Sequence, residues 1–463
     1  MFEGSMFEPS DVVVIGGGFA GLSAAVALAG RGFRVAVLES KPALGGRAYS
    51  FPDAETGDFV DNGQHVLMGC YAETFKFLER IGQSGQLVFH PDLAIQMVER
   101  EGRNGVLQTA RLPGPLHMTA ALMRYRLLTG RERLSAMVAG LRMLRMRRHD
   151  RARLDKATVK TLMDMLGQGE RARQCLWYPL AIATLNEDPA LASAALLAEV
   201  LKRAFFSRRS DSAFVYAKVG LSDLYCSASV RMIEASGGLV ETRAVVEMLE
   251  FGAEGKITGV RLRDGRRLQA ANFIAAIGPA QLARFLPEGV GADPFFAHLD
   301  EITSSPIICV HAWFDREVTD AAFVGFIGTA TQWLFNKRRI FADHGERANG
   351  YLSFVISGAR KLIDAGNEEL LDLVIGDLNT MIPAARGARL LKALVLKEKQ
   401  ATMAPSPECD SLRPSRVTPI PNLFLAGDWI QTGLPATIES AVASGHAAAA
   451  AIAARPGNSR HPD

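Results

Sequence analysis

The first apolar run that predicts a strand is residues 12–15. It is followed by glycines and then by an alanine-rich stretch. Apolar runs of this length bounded by glycine are typical of buried strands, and the alanines favour a helix. A second apolar run, residues 34–38, ends at Glu39. The pattern therefore predicts a strand, a tight turn, a helix and a second strand at the start of the chain.

The turn after the first strand carries Gly16, Gly18 and Gly21 in the spacing Gly-x-Gly-x-x-Gly. Gly16 allows the tight turn, Gly18 lets the backbone approach a pyrophosphate, and Gly21 lets the helix pack closely on the sheet. The helix N-terminus supplies free N–H groups and a positive dipole end. Glu39 lies where a carboxylate can accept hydrogen bonds from ribose hydroxyls. In this context the motif predicts a dinucleotide site of the Rossmann type.

Two further segments favour FAD over NAD. Leu44-Gly45-Gly46-Arg47 offers a second close backbone approach and a guanidinium that can bind a phosphate through two N–H groups. Near the end of the chain, residues 423–426 predict a buried strand, and Gly427-Asp428 then places an acid where it can bind the ribityl chain. Residues 433–439 predict a loop that enters a helix, with Pro435 near the first helical position and the helix dipole facing the flavin.

The order of these motifs predicts an α/β fold with a discontinuous FAD-binding domain of the Rossmann type and an α+β substrate domain. The FAD-binding domain is expected to comprise residues 1–75, 212–290 and 405–463, and the substrate domain residues 76–211 and 291–404. The first substrate segment is expected to be mostly helical and the second a mixed antiparallel sheet. Apolar patterns predict strands at 245–249, 273–277, 307–314 and 352–356.

Length, hydrophobicity and cysteine content favour a cytoplasmic protein of two domains without disulfides or a metal site. At 463 residues the chain is long enough for two domains. Because its first apolar run is already the flavin strand, we expect no signal peptide, and no apolar run reaches the roughly eighteen residues that a membrane-spanning helix needs. The cysteines are scattered, without a Cys-x-x-Cys or a histidine cluster at ligand spacing, which predicts reduced thiols in a cytoplasmic protein without disulfides or a metal site. They are Cys70, Cys175, Cys226, Cys309 and Cys409.

Charge is concentrated in one segment. Residues 124–156 contain eleven basic and three acidic residues, a local charge of +8 in a chain whose net charge is +3. Leucine and methionine alternate there with arginines that include Arg142, Arg145, Arg147 and Arg148. Two interpretations stay open: a basic amphipathic segment on the inner face of an anionic membrane, or a solvated basic face on a core helix. Nucleic-acid binding is not expected, since interleaved aromatic residues and a nucleic-acid fold are missing.

The dinucleotide motifs resemble those of the flavin amine oxidase and carotenoid desaturase superfamily. Within it, residues 59–71, 177–180, 185–186, 219–224 and 433–437 resemble the hydroxysqualene dehydroxylases, squalene-associated flavoenzymes. For the adenine contact that the resemblance assigns to the backbone of Val246, Val245 is a competing register. The resemblance implies that FAD is bound by Gly16, Gly18, Phe19, Ala20, Gly21, Glu39, Ser40, Gly46, Arg47, Gly63, Gln64, His65, Val246, Gly427, Asp428, Pro435, Ala436 and Thr437.

The resemblance also implies a reaction. Reduced FAD would deliver hydride from N5 to the carbon of hydroxysqualene that loses its hydroxyl, giving squalene and water. An apolar C30 substrate needs a long, dry pocket. Because no second Gly-x-Gly-x-x-Gly follows a strand, the electrons are expected from an external donor. Candidate aromatic walls are Trp177, Phe205, Phe206, Phe214, Trp313, Phe326 and Trp333.

His65 is the first candidate for the proton donor or hydroxyl partner, because its pKa suits proton transfer near neutral pH. The alternative is that it bonds only the flavin or the backbone. Asn186 could orient the hydroxyl, although an amide cannot act as an acid. We expect Asp61 to accept hydrogen bonds from backbone N–H groups around Gly63, and Glu439 to be a charge partner of a helix N-terminus.

Two other functions fit the same motifs. One is an oxidative desaturase of the carotenoid type, in which FAD accepts the hydride. The other is a prenyl carrier that resembles the GDP-dissociation inhibitors, which keep the fold without the flavin. The intact glycines and acids at both ends of the flavin site argue against the carrier.

Overall fold

The computed structural model describes residues 10–146, 148–341 and 349–455. The strands are β1 (Ser10–Ile15), β2 (Val35–Leu38), β3 (Ser50–Pro52), β4 (Phe59–Asp61), β5 (Leu67–Met68), β6 (Leu87–His90), β7 (Ala94–Glu99), β8 (Asn104–Gln108), β9 (Phe214–Ala217), β10 (Leu239–Glu241), β11 (Val246–Phe251), β12 (Ile257–Leu262), β13 (Arg267–Ala275), β14 (Ser304–Phe314), β15 (Phe323–Ile327), β16 (Trp333–Asn336), β17 (Gly350–Ser357), β18 (Leu390–Met403) and β19 (Leu423–Leu425).

The helices are α1 (Phe19–Ala29), α2 (Ala72–Arg80), α3 (Leu116–Arg124), α4 (Gly130–Arg145), α5 (Arg148–Asp155), α6 (Val159–Met165), α7 (Glu170–Ala172), α8 (Tyr178–Leu185), α9 (Ala194–Val200), α10 (Leu221–Ala235), α11 (Pro279–Phe285), α12 (Glu288–Gly291), α13 (Lys337–Ile340), α14 (Asn367–Met381), α15 (Cys409–Leu412) and α16 (Ile438–Ala453). A π-helical turn joins α7 to α8, and another continues α9.

The first sheet runs in the order β10-β2-β1-β13-β12-β11, with β19 also paired to β13. β1 is parallel to both β2 and β13, and β2 to β10. β2 and β19 are buried throughout, as expected for a parallel sheet with helices on both faces. The strands come from residues 10–38, 239–275 and 423–425, which lie inside the three segments predicted for the FAD-binding domain. The outer boundaries of that domain stay a prediction.

Helices α1 and α16 lie against each other beside this sheet, and small residues allow the close contact. A Cβ atom added at Gly445 would overlap the carbonyl oxygen of Ala20, and one added at Gly21 would overlap that of Gly16. The packing role predicted for Gly21 is therefore confirmed. The contact brings the first turn of α1 against the middle of α16.

The second sheet has the order β18-β14-β17-β16-β15-β7-β8. Successive side chains along each of its strands point to opposite faces of the sheet. Along β14, Ile308 and Val310 pack in an apolar core with α14, whereas His311 and Trp313 lie on the opposite face, against the β4 segment. The predicted strands at 307–314 and 352–356 are confirmed as parts of β14 and β17.

Residues 76–211 are mostly helical, as predicted, except near the start of the segment. The start of this segment forms β6, β7 and β8, and β7 extends the second sheet by pairing in parallel with β15. The buried Ile95 and Met97 alternate with more exposed residues, a strand signal that the helical prediction passed over. The basic segment, residues 124–156, starts at the last residue of α3 and forms α4 and α5, and Arg147 lies outside the described residues. None of the described helices is long and apolar enough to cross a membrane.

Candidate active site

The glycine turn and the start of α1 form a cradle of backbone atoms. Gly18 is the N-cap residue of α1, and neither a side-chain cap nor an acidic residue occupies the first turn. The first N–H groups of a helix lack partners within the helix, so they can bind a phosphate. A Cβ atom on Gly18 would meet nothing nearer than the Cα atom of Gly46, at 3.7 Å. Phe19 and Ala20 have buried side chains, which leaves their backbone for the ligand.

Glu39 ties the turn to the end of β2. Its carboxylate accepts hydrogen bonds from the N–H groups of Gly17 and Lys41, both at 2.8 Å, and from the Ser40 hydroxyl at 3.2 Å. The side chain is only 5% exposed. A carboxylate has about four acceptor positions, so capacity remains for ribose hydroxyls.

The segment predicted to meet the adenine lies beside Glu39. The N–H of Ala244 donates to the Glu39 carbonyl oxygen at 2.9 Å. Val245 is half-buried and Val246 is buried at the start of β11. Both therefore lie next to Glu39, the acid predicted to bind the ribose, and the adenine contact assigned to Val246 stays a prediction.

Arg47 and Asp428, predicted to bind different parts of FAD, contact each other. The guanidinium of Arg47 lies 2.5 Å from the Asp428 carboxylate and also donates to the carbonyl oxygen of Ala401. The nearby negative charge of Asp428 raises the pKa of Arg47. The N–H of Gly427 donates to the Ser444 hydroxyl at 2.7 Å, which fixes this turn to α16. The ion pair joins the two ends of the chain at one site.

The last helix begins slightly later than predicted. Thr437 is the N-cap residue of α16, and its hydroxyl accepts a hydrogen bond from the N–H of Ser440 at 3.2 Å. Pro435 and Ala436 therefore lie in the loop before the helix, and Pro435 is not in its first turn. Glu439 lies in the first turn of α16, as predicted, and its carboxylate also caps a second helix. The helix is α2, where its carboxylate accepts from the N–H groups of residues 73 and 74, each at 2.9 Å.

Asp61 has different partners from those predicted. One carboxylate oxygen lies 2.8 Å from Nζ of Lys337, and the other accepts a hydrogen bond from the N–H of Leu221 at 3.2 Å. Nζ of Lys337 also donates to Oε1 of Gln64 at 2.7 Å. The expectation that Asp61 binds N–H groups around Gly63 was wrong, because a buried lysine from a distant segment takes its charge.

His65 is half-buried, and its Nδ1 lies 2.8 Å from the carbonyl oxygen of Gly63. A carbonyl oxygen only accepts, so Nδ1 carries the hydrogen and Nε2 is the free nitrogen. Burial lowers the pKa of His65, and the charge of Lys337 lowers it further, against the opposing effects of Asp61 and Gly63. Neutral His65 thus presents a hydrogen-bond acceptor at Nε2, and becomes an acid there after it gains a proton.

Asn186 is occupied by structural contacts. It ends α8 in the left-handed conformation, with φ of 54°. Its amide nitrogen donates to the carbonyl oxygen of Ser305 at 3.3 Å and to the hydroxyl of Thr402 at 3.0 Å, and its oxygen accepts from the N–H of Gly358 at 2.9 Å. These contacts tie α8 to β14 and β18. They favour a structural role over the predicted contact with a substrate hydroxyl.

Residues 19–453 match the model of the family described as flavin containing amine oxidoreductase. The chain belongs to this family. It is 30% identical over 451 residues to hydroxysqualene dehydroxylase of Rhodopseudomonas palustris, covering 95% of this chain and 97% of that protein. It is 26% identical over 466 residues to 15-cis-phytoene desaturase of Solanum lycopersicum, covering 96% of this chain and 78% of that protein.

Solved structures agree on the fold. Wild-type putrescine oxidase bound to putrescine aligns with a TM-score of 0.68 and 19% identity, over 96% of this chain and 99% of that one. Cyclohexylamine oxidase from Brevibacterium oxydans aligns with a TM-score of 0.67 and 19% identity, over the same shares. The chain is an FAD-dependent oxidoreductase of the amine oxidase and carotenoid desaturase superfamily, as predicted. The glycine cradle, Glu39 and the turn at Asp428 are the groups that would hold the cofactor.

The aromatic residues proposed as pocket walls do not form one group. Phe326 belongs to the apolar core beneath α14, and Trp313 is buried with its indole N–H donating to Asp58 at 2.8 Å. Both side chains are almost fully buried, so neither is exposed to an open pocket. Phe214 and Trp333 are partly exposed, and Phe214 stacks on Phe323 with ring centroids 4.9 Å apart. Phe323 was missed by sequence reasoning, although it begins an apolar run.

Proposed function

We propose that this enzyme removes the hydroxyl group of hydroxysqualene to give squalene and water. The observation that carries the proposal is the likeness to hydroxysqualene dehydroxylase, which extends over nearly the full length of both proteins. The likeness to 15-cis-phytoene desaturase is lower in identity. Bound reduced FAD would supply the hydride equivalent, and the leaving oxygen needs one proton besides.

The free nitrogen of His65 supports this chemistry. Protonated Nε2 can donate to the leaving hydroxyl, while Nδ1 stays held by the carbonyl oxygen of Gly63. Because the pKa of His65 is lowered, the protonated form increases as the pH falls below the ordinary histidine range. Three partly buried aromatic side chains pack against the largest apolar core and would keep water away from the reacting carbon. They are Phe206, Phe214 and Trp333.

The electron donor is proposed to be external. Among the described strands, β1 is the one followed by Gly-x-Gly-x-x-Gly, and that motif serves the flavin. Reduction would then come from a soluble donor or another protein. We propose a cytoplasmic location, with peripheral contact to the inner face of the membrane, where an apolar substrate would be found.

Helices α3 and α4 support the membrane contact. We name as the outward face five exposed apolar residues of these helices, between 40% and 60% exposed: Leu116, Met123, Leu134, Val138 and Leu141. The last three are spaced i, i+4 and i+7 and share one side of α4. On the other side of α4, Ala136, Ala139, Gly140 and Met143 are buried. A helix with a buried small-residue stripe and a second, exposed apolar stripe suits a lipid surface.

Basic residues accompany the outward face. Arg131, Arg142 and Arg145 are exposed on α4, whereas Arg147 and the side chain of Arg148 fall outside the described part of the chain. Each basic residue near anionic lipid contributes about 1 kcal/mol. Changing Arg131, Arg142 and Arg145 together to Gln should therefore weaken cosedimentation with anionic liposomes at low salt by about a hundredfold.

A matched control changes three exposed arginines of the FAD-binding domain, Arg243, Arg263 and Arg284, to Gln. This variant removes the same charge from a surface without exposed leucines nearby and should bind liposomes like the wild type. Equal loss in both variants would point to unspecific attraction. Unchanged binding of the α4 variant would favour the solvated basic face.

A carotenoid-type desaturase is the second candidate, favoured by the likeness to phytoene desaturase over 96% of this chain. Product analysis separates the two. The reduced enzyme is incubated without oxygen with hydroxysqualene, and the oxidised enzyme with phytoene and an electron acceptor. We expect squalene in the first and no new product in the second. Desaturated phytoene without any squalene would establish the alternative.

A further inference from the structure

Lys337 is a fully buried cation next to the loop that carries His65. It begins α13 directly after β16, and its side chain has no solvent exposure. Its Nζ contacts the Asp61 carboxylate at 2.8 Å and Oε1 of Gln64 at 2.7 Å, and lies 4.0 Å from the centre of the Phe341 ring. Carboxylate, amide and aromatic face together surround the ammonium group.

A buried ion pair is a poor source of stability. Removing two charges from water costs several kcal/mol per ion, and apolar residues of similar volume are often at least as stable. The Asp61 and Lys337 pair therefore needs another explanation than packing. The second hydrogen bond of Lys337, to Gln64, suggests one, because Gln64 precedes His65 in the chain.

Two groups next to Lys337, His311 and Arg338, do not supply a competing positive charge to this loop. Nε2 of His311 donates to the Asp61 carbonyl oxygen at 3.0 Å, and its Nδ1 accepts from the Tyr351 hydroxyl at 2.9 Å. Burial lowers the pKa of His311 to about 3, so this histidine is neutral at ordinary pH. Arg338, the next residue after Lys337, is engaged with Asp58 through both guanidinium nitrogens.

We propose that Lys337 is a positioning residue, which through Asp61 and Gln64 fixes the 61–65 loop and so sets the direction of Nε2 of His65. Lys337 binds the side chains of Asp61 and Gln64, two residues of this loop, and the imidazole of His65 is hydrogen-bonded within the loop to the Gly63 carbonyl oxygen. The catalytic part of this inference rests on the proposed function. The structural part, a loop ordered by Lys337, does not.

The first experiment is a double-mutant cycle on the flavin-loaded enzyme. Lys337→Met removes both contacts of the ammonium group, and Gln64→Leu removes one while leaving the Asp61 ion pair. Each should lower the single-turnover rate with hydroxysqualene by roughly tenfold to a hundredfold, since small misplacements of a catalytic group have effects of this size. The half-saturating substrate concentration should change less than threefold.

The double variant should be no slower than Lys337→Met alone, because both changes break the same link. Additive effects would overturn the proposal. Arg338→Met is the matched control: it removes the neighbouring buried cation, which contacts Asp58 and not the 61–65 loop, and should lower stability without lowering the rate. If Lys337→Met does not fold, Gln64→Leu alone decides, and a rate within twofold of wild type overturns the proposal.

The second experiment needs no substrate. Nitrogen NMR of histidine-labelled oxidised enzyme reports which imidazole nitrogen carries the hydrogen, with the His65 signal assigned from a His65→Gln sample. Wild type should show the Nδ1–H form of His65, and Lys337→Met a mixture of both forms. An unchanged signal in Lys337→Met would contradict the proposal. Since the reaction plays no part here, a failure of the dehydroxylase assignment would be seen separately.

Discussion

The glycine turn at residues 16–21 and the 61–65 loop are both predicted to contact FAD, and they are held in place by different means. The turn offers backbone N–H groups and free space, and its acid, Glu39, is held by nearby backbone. The loop is held by side chains from elsewhere in the chain, above all Lys337. Side chains added in the turn should therefore weaken FAD binding by occupying the space of the ligand. Changes in the loop should act through charge and orientation on the chemical step.

The largest expected effect is that of Gly18→Val. The new side chain meets no protein atom nearer than 3.7 Å at its Cβ, so the apoprotein should fold, but it occupies the space of the pyrophosphate. We expect FAD occupancy below about a tenth of wild type by absorbance after purification, with an unchanged melting temperature of the apoprotein. Full occupancy would show that the phosphates bind elsewhere.

Gly21→Val is the matched steric control within the same turn. Its Cβ would overlap the Gly16 carbonyl oxygen, so here the protein itself has no room. The apoprotein should lose several kcal/mol of stability, about the upper range for overpacked sites. A stable Gly21→Val apoprotein would contradict the claim that Gly21 is required for packing of the protein while Gly18 leaves room for the ligand.

His65→Ala changes the 61–65 loop and should affect the chemical step. If Nε2 protonates the leaving hydroxyl, the single-turnover rate should fall by about a hundredfold or more, a typical share for general acid catalysis. FAD content should stay near that of wild type, because the pyrophosphate cradle is distant in the chain and made of backbone. A rate within a few-fold of wild type would remove His65 from the catalytic role.

Glu39→Ala should weaken FAD binding by about 1 to 3 kcal/mol through lost hydrogen bonds to a charged group. The variant also frees the N–H groups of Gly17 and Lys41, so Glu39→Gln, which keeps one of the two acceptor oxygens, should show a smaller loss. Titration of apoprotein with FAD, followed by flavin fluorescence, measures both. Equal affinities of all three proteins would remove Glu39 from the ribose contact.

The smallest expected effect is a pH dependence. Protonated His65 becomes more abundant as the pH falls through its lowered pKa, so the wild-type rate should rise by a few-fold toward acid pH. His65→Gln should show a flat profile over the same range. A profile that rises with pH in the wild type would mean that the neutral form of His65 is the active one.

The difference between the glycine turn and the 61–65 loop also explains which parts of the site could be predicted from the sequence. The turn, Glu39 and the strands around them lie within thirty residues, where spacing alone indicates a nucleotide site. The partner of Asp61 lies 276 residues away, and nothing near Lys337 connects it to the loop. Asn186 was misjudged for a similar reason, because its three contacts come from other segments. A lysine directly after the apolar strand β16 was a usable signal, since charged residues are seldom buried without a partner.

Reoxidation of the reduced flavin by hydroxysqualene decides whether this enzyme is a dehydroxylase. Enzyme with chemically reduced FAD is mixed with hydroxysqualene without oxygen, while the flavin absorbance and the products are followed. The account predicts that the oxidised flavin spectrum returns in a single phase and that one squalene forms for each flavin reoxidised. Flavin that stays reduced, or that is reoxidised without forming squalene, would contradict it.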